Sequence, residues 1–278
     1  MAREVPDKII QRLHDIAEGR TVPVEPRQAA TVVLLRTADT GVEAYMLRRK
    51  ATMAFAAGAY VFPGGSVDPR DADPAIGWAG PSPEAWGRAF GVSTALGREL
   101  VCAAVRETFE ESGVLLAGPE PGTVVADTRD DSWEADRRAL IDHTLSLAEL
   151  LERRGLVLRS DLLGAWATWI TPEVEPRRFD TKFFVAALPS GQRARDVGGE
   201  ADQVAWLRPS DALEAARLEE MYLMPPTATT LAELDGYGDT GAVLAAAPDR
   251  VGAPRVPGFE IVDGTAKFVM PEGVPYPL

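Results

Sequence analysis

Cysteine is nearly absent from this 278-residue chain, and so is histidine. The single cysteine, Cys102, has no partner for an intramolecular disulfide, and its place in the apolar run Val101 to Val105 marks it as a buried thiol. The two histidines, His14 and His143, stand far apart, which excludes a Cys/His zinc site and argues against a Ser-His-Asp or Cys-His catalytic machine. Positive charge is also scarce: 29 Lys and Arg against 42 Asp and Glu leave a net charge of -13 and a pI near 4.7. Such a surface repels nucleic-acid backbones, so no nucleic-acid partner is expected, and it repels anionic metabolites as well. A chain of this charge that handles phosphates must supply local positive charge, from clustered arginine and lysine or from a bound cation. No apolar run is long enough for a membrane span, so no membrane partner is expected. Met1 to Asp7 carries charge with no long apolar segment behind it, which is unlike a signal peptide, and Pro275 to Leu278 is not a Ser-Lys-Leu address. A cytoplasmic location is the resulting expectation. Chemistry here has to rest on carboxylates, arginines, lysines and hard metals.

With 46% hydrophobic and 26% charged residues, the chain has ordinary globular composition and enough length for one elaborated domain or two small ones. Ile9, Ile10, Leu13 and Ile16 line one side of a short helix over Lys8 to Glu18, and Thr21 to Pro26 reads as a linker, so residues 1–26 form an N-terminal extension. The β-branched run Ala29 to Arg36, the turn at Asp39 to Gly41 and the segment Glu43 to Arg49 predict a hairpin. Gly58 to Gly65 reads as a strand entering a tight glycine turn. Ser66 to Gly97, rich in Pro, Gly, Asp and Ala, reads as a long and partly irregular insertion. Arg98 to Ser112 is a strong helical pattern stopped by Gly113, and Val114 to Ala117 reads as a short strand. Ser132 to Arg154 predicts one or two further helices, an inserted element near 131–155. Strands are expected at Gly164 to Ile170, Phe179 to Leu188, Gln203 to Leu207 and Ala266 to Met270, and helices at Pro209 to Leu218 and Pro225 to Leu234. Strands and helices mixed in this order point to an α/β sandwich over residues 27–278.

The run Arg106-Glu107-Thr108-Phe109-Glu110-Glu111-Ser112-Gly113-Val114 carries the chemistry. On a helix Glu107, Glu110 and Glu111 are related by i, i+3 and i, i+4 and share one face. Like charges at that spacing repel by roughly 0.2–0.5 kcal/mol per pair, and the macrodipole disfavours anions near a helix C-terminus. A solvated acidic stripe would look the same in isolation. The companions change the reading: Phe62-Pro63-Gly64-Gly65 allows close backbone approach, Leu100 to Val105 is small and apolar, and Arg106 reaches Glu110 at i+4. An all-oxygen ligand set suits Mg²⁺ or Mn²⁺.

Together these residues resemble the Nudix box, GX5EX7REUXEEXGU. Gly65 stands at the opening glycine, and Arg106, Glu107, Glu110, Glu111, Gly113 and Val114 stand in the closing half, with Thr108 in the U position. Counted back from Arg106, the middle glutamate falls on Arg98, so the insertion leaves that position without its acid. The glycine-bearing approach, the long insertion, Cys102 to Leu116, Trp169 to Pro172 and Arg177 to Thr181 with Phe183 and Phe184 resemble the peroxisomal coenzyme A diphosphatase-like branch of that superfamily, over residues 29 to 230. The upstream coenzyme A signature is matched at Arg49, Gly58 and Phe62 to Gly65, whereas its second arginine is replaced by Ala54 and its leading residues by Tyr45, Met46 and Leu47.

The resemblance implies a Nudix-type α/β/α sandwich with a mixed sheet. It implies metal-dependent hydrolysis of a phosphoanhydride in a nucleoside-diphosphate-linked metabolite, with coenzyme A or an acyl-coenzyme A as the first expectation. NADH or ADP-ribose pyrophosphatase activity, or a non-catalytic nucleotide-binding regulator, are the alternatives. Glu107, Glu110 and Glu111 would hold Mg²⁺ or Mn²⁺, and Arg106 would orient a ligand. Glu200, flanked by Gly198 and Gly199 ahead of a short strand, is the candidate for a further ligand or base, with Asp202 as runner-up. Either Glu110 or Glu200 would take the proton from water. Gly64, Gly65, Arg48, Arg49, Arg177, Arg178 and Lys182 are the candidates for holding substrate phosphates. Dimerisation is common in the superfamily, and a homodimer is carried as an expectation on that ground alone.

Overall fold

The computed structural model describes residues 7–52, 56–196, 198, 201–262 and 265–278. After the helix α1 (Asp7–Ala17), strands β1 (Arg27–Ala38) and β2 (Gly41–Arg49) form the expected hairpin, with Leu35 opposite Ala44. Strands β3 (Ala59–Val61) and β4 (Gly64–Ser66) follow, β3 beside β2 and β4 beside β1. The insertion holds a 3-10 turn (Pro69–Ala72), β5 (Trp78–Ala79) and helix α2 (Pro83–Phe90), and then the long helix α3 (Thr94–Ser112) begins. Beyond it come β6 (Ala117–Gly118), α4 (Asp131–Ile141), α5 (Leu147–Arg154), β7 (Val157–Arg159), β8 (Leu163–Ile170), β9 (Phe179–Ala187), β10 (Ala201–Leu207), α6 (Pro209–Arg217), β11 (Tyr222–Leu223), α7 (Pro225–Leu234), α8 (Thr240–Ala246), β12 (Gly258–Val262) and β13 (Thr265–Val269).

The main sheet is mixed, in the order β11-β3-β2-β1-β9-β8, with β10 added on β2 and β4 on β1. Strand β1 explains its own run of branched residues, because both of its faces are covered. Ala30, Val32 and Leu34 point into one core with α3, α4 and α5, while Val33 and Leu35 point into a second core with α6, α7 and α8. Helices on both faces of a mixed sheet make the α/β/α sandwich expected from the sequence. The N-terminal helix is not detached: Leu13 and Ile16 line a groove with Pro172, Val174 and Phe259. Among the described residues no helix is long and apolar enough to cross a membrane.

The insertion is more ordered than its composition suggests. Helix α3 starts at Thr94, capped by the Ser93 hydroxyl on the Leu96 amide, rather than at Arg98. Gly87 and Gly97, which read as signs of irregular chain, lie where α2 and α3 cross. A Cβ on Gly97 would stand 2.6 Å from the Pro83 carbonyl oxygen and 2.7 Å from the Gly87 amide nitrogen. These glycines let two backbones touch. The strand expected at Val114 to Ala117 is only β6, although Val114, Leu115 and Leu116 are fully buried. Helix α8 and strand β12 carried no sequence signal that was read as such.

Candidate active site

Helix α3 lies across β1 and β4 and meets the 3-10 turn of the insertion, and that position follows from its apolar inner face. Leu100 to Val105 are completely buried, and beyond them Glu107, Glu110 and Glu111 are partly exposed, with Glu107 and Glu111 against the glycine turn. Gly113 ends the helix in the left-handed conformation (φ 72°) with its amide on the Phe109 carbonyl, as its type favours.

The glycines earn their positions sterically. A Cβ on Gly64 would stand 2.5 Å from the Ala30 carbonyl oxygen, and one on Gly65 would stand 2.6 Å from the Glu107 carboxyl carbon. The space above Gly65 is therefore the seat of the Glu107 carboxylate. The Gly64 amide donates to Glu111 Oε2 at 2.9 Å, tying the turn to the helix.

Arg106 is the centre of the cluster, 5% exposed. Its Nη1 donates to Glu107 Oε1 at 2.8 Å and to Glu110 Oε1 at 3.2 Å. Its Nε and Nη2 each donate to the Asp71 carboxylate at 3.1 Å, and Nη2 also reaches the Ser66 carbonyl oxygen at 2.9 Å. Asp71 is the residue that sequence reasoning missed. It occupies the place of the middle acid of the box, whereas Arg98 donates to the Asp73 carbonyl and stacks over Trp78. The signal was present: counted forward from Gly65 rather than back from Arg106, GX5E ends on Asp71. The insertion thus follows the middle position instead of preceding it.

The electrostatics are unbalanced. Burial pushes the carboxyls of Glu107, Glu110 and Asp71 above their ordinary values, with Arg106 pulling each one back. Burial likewise opposes the charge on Arg106, but Glu107, Asp71 and Glu110 outweigh it and hold the guanidinium charged. Both signs have one origin: a single guanidinium shares three buried carboxylates, so it is oversupplied with anions while each anion has a fraction of a cation. This donor set, all oxygen and deficient in positive charge, fits a hard divalent ion. Among the described residues, however, no three acidic side chains are gathered as a finished ligand cage. Glu107 and Glu110 turn to Arg106, and Glu111 turns to Gly64, so the shared helix face is as the spacing implied while the carboxylates are held apart by protein partners.

The other candidates divide. Arg49 follows Tyr45 and Leu47 by strand alternation onto the α3 face, whereas Arg48 points with Met46 and Ala44 to the opposite face and pairs with Asp202 at 2.6 Å. Asp202, the runner-up acid, is thereby committed to Arg48. Arg178 is buried and donates to the carbonyls of Thr171 and Val24, a backbone anchor. Lys182 lies on the α3 side, opposite Ala30 on the neighbouring strand, but is buried in an ion pair with Asp180 at 2.5 Å. Arg177 is exposed. Glu200 lies outside the described residues, as does Ala54.

A family model described as the NUDT19 Nudix domain matches residues 92–234. The chain is 30% identical over 213 residues to putative nudix hydrolase 7 of Caenorhabditis elegans, covering 77% of this chain and 62% of that protein. It is 30% identical over 225 residues to acyl-coenzyme A diphosphatase NUDT19 of Homo sapiens, covering 67% of this chain and 58% of that one. The chain therefore spans less than two thirds of the length of these relatives. A crystal structure of a NUDIX hydrolase from Alicyclobacillus acidocaldarius superposes with a TM-score of 0.69 at 28% identity, over 80% of this chain and 96% of that one.

Proposed function

The chain belongs to the NUDT19 family of Nudix domains, and from that premise we propose that it hydrolyses the phosphoanhydride bond of a nucleoside-diphosphate-linked metabolite, coenzyme A or an acyl-coenzyme A first. The observation that carries the reading is the charge-deficient cluster of Glu107, Glu110 and Asp71 around Arg106, with Glu111 joined to the glycine turn. The substrate class is supported by relatives named acyl-coenzyme A diphosphatase.

Glu107, Glu110 and Glu111 would hold Mg²⁺ or Mn²⁺. Such an ion supplies neutralisation of diphosphate charge and makes water more acidic. The chain's own residues do the rest. Gly64 and Gly65 seat the turn against β1 and the Glu107 carboxylate, and Arg106, fixed by Asp71, sets the orientation of Glu107 and Glu110. Arg49, on the same face, offsets the repulsion that a -13 protein exerts on an anionic substrate. Glu110 or Glu200 would take the proton as the water oxygen bonds to one phosphorus and the bridging oxygen leaves on the other. With coenzyme A the products are phosphopantetheine and adenosine 3′,5′-bisphosphate.

The replacement of the second signature arginine by Ala54 favours one rival, a pyrophosphatase of ADP-ribose or NADH. Incubation with coenzyme A, an acyl-coenzyme A, NADH and ADP-ribose in Mg²⁺ or Mn²⁺, with products identified by mass spectrometry, separates them. Adenosine 3′,5′-bisphosphate is the expected product, and EDTA is expected to stop its release. Release of AMP from ADP-ribose with coenzyme A left intact would give the site to the rival.

Gly65→Ala offers a steric check. The added methyl takes the seat of the Glu107 carboxylate, at an overpacking cost of about 1–3 kcal/mol. Turnover is expected to fall by roughly 10–100-fold, the range seen when a metal site's supporting groups are disturbed. Wild-type rates in a well-folded Gly65→Ala protein would show that Glu107 need not sit there.

A further inference from the structure

The last turn of α3 is held by elements that lie outside the box. A helix leaves its final carbonyls without intrahelical partners. Here the Val114 amide goes to the Ser112 hydroxyl, and the Glu110 carbonyl instead accepts Nη1 of Arg137 at 2.7 Å. Arg137 belongs to α4, is 2% exposed, and is locked in place by Glu134, which accepts its Nε at 2.9 Å and its Nη2 at 2.7 Å. A second guanidinium joins from the opposite side of the sequence. Arg195 lies in the space a Gly113 side chain would fill, its Cζ 2.7 Å from that Cβ position, and its Nη2 lies 3.4 Å from Glu134. Its amide donates to the Ser112 carbonyl at 3.1 Å.

Two guanidinium groups thus stand at the negative end of the helix that carries three glutamates. They oppose both the macrodipole and the mutual repulsion of those carboxylates. The bond from Arg137 is made to the backbone of Glu110 itself, so its loss would move that residue directly.

We infer that Arg137 is a positioning residue for the glutamate cluster: reaching from α4 to the Glu110 carbonyl, and seconded by Arg195, it sets where Glu110 and Glu111 point and how tightly a divalent ion is held. The inference rests on the reading of Glu107, Glu110 and Glu111 as the metal-holding set. It assigns the inserted helix α4 a task in the active site, although none of its side chains touches the reacting atoms.

The full-length chain is tested as wild type, Arg137→Gln, Glu134→Gln and Arg138→Gln. Arg138 also bonds Glu134, but its side chain is 71% exposed, so it serves as the control. Mn²⁺ affinity is read by electron paramagnetic resonance of the free ion, and kcat and KM are read on whichever diphosphate the wild type cleaves. Arg137→Gln is expected to weaken Mn²⁺ binding and lower kcat, each by roughly 10–100-fold, with KM nearly unchanged. Glu134→Gln, which only frees Arg137 to move, gives a smaller loss of the same kind and covers the case in which Arg137→Gln does not fold. Arg138→Gln matches wild type. Mn²⁺ affinity and kcat within twofold of wild type in Arg137→Gln, or in Glu134→Gln if the former is unfolded, overturns the inference while leaving the proposed function standing. A wild-type chain that binds no Mn²⁺ and cleaves no diphosphate overturns the functional reading itself, and this inference with it.

Discussion

Replacing Glu110 by Gln is expected to remove nearly all turnover while leaving the fold at least as stable as wild type. The loss should be on the order of 10³-fold, the scale on which a single pre-aimed electrostatic group contributes to catalysis. Stability moves the other way for a reason visible in the cluster. Burial raises the Glu110 carboxyl above its ordinary value of 4.5, with Asp71 and Asp68 adding to the rise and Arg106 resisting it. A carboxyl raised on folding leaves the native state holding more protons than the unfolded chain, so stability falls as pH climbs from 4.5 through the raised value. That penalty is absent below 4.5 and fully present once the buried carboxyl has ionised. Gln carries no charge and escapes it, while Arg106 keeps Asp71 and Glu107. Thermal melting in EDTA at pH 5 and pH 8 reads the difference: the wild type should lose more stability between those values than Glu110→Gln. Glu111→Gln should match it in lost activity. A near-normal rate in either variant would count heavily against a metal held at this helix face.

Asp71→Ala is expected to damage stability and activity together. It strips the two-oxygen partner from the buried Arg106 guanidinium, whose whole side chain is only 7% exposed, and removing one partner of a buried pair costs about 3–5 kcal/mol. Glu107 and Glu110 remain beside Arg106, which places the cost near 3 kcal/mol, or a Tm drop of roughly 6–12 °C for a chain of this size. The Asp68 amide also loses its acceptor, so the capping box of the 3-10 turn opens. Once freed, Arg106 binds Glu107 and Glu110 more closely and competes with an ion for them, lowering turnover by roughly 10–100-fold. Asp71→Asn should be milder, because burial already works against the charge at this position. Calorimetry and steady-state rates on the same preparations decide it. A Tm within 2 °C of wild type, about the shift from a sub-kilocalorie change, would mean that Asp71 does not carry Arg106.

Reading the sequence located the glutamate helix and misplaced one of its partners. The cause is instructive, because the split box can be counted from either end. From Arg106 backward the middle acid falls on Arg98, whereas from Gly65 forward it falls on Asp71. The choice depends on where the insertion enters, and only the folded chain, which brings Asp71 to 3.1 Å from Arg106 across 35 residues, shows it. Gly87 and Gly97 misled for a related reason. A helical glycine reads as a breaker when its neighbours are unknown and as a contact point once α2 lies against α3.

What the residues determined alone was whatever local covalent geometry governs. The helical repeat puts Glu107, Glu110 and Glu111 on one face, Gly113 stops the helix in a left-handed turn, and the shortage of cysteine and histidine leaves carboxylates, arginines and lysines as the candidate functional side chains. What only the tertiary structure decided was every relation that depends on the path of the chain between distant points. Arg49 shares a face with the cluster and Arg48 does not, Lys182 is consumed by Asp180, and the last turn of the glutamate-bearing helix is held from 27 residues away by Arg137. Spacing within a helix is set by bond geometry, whereas contact between helices is set by which buried surfaces find one another, and no short window of sequence contains that information.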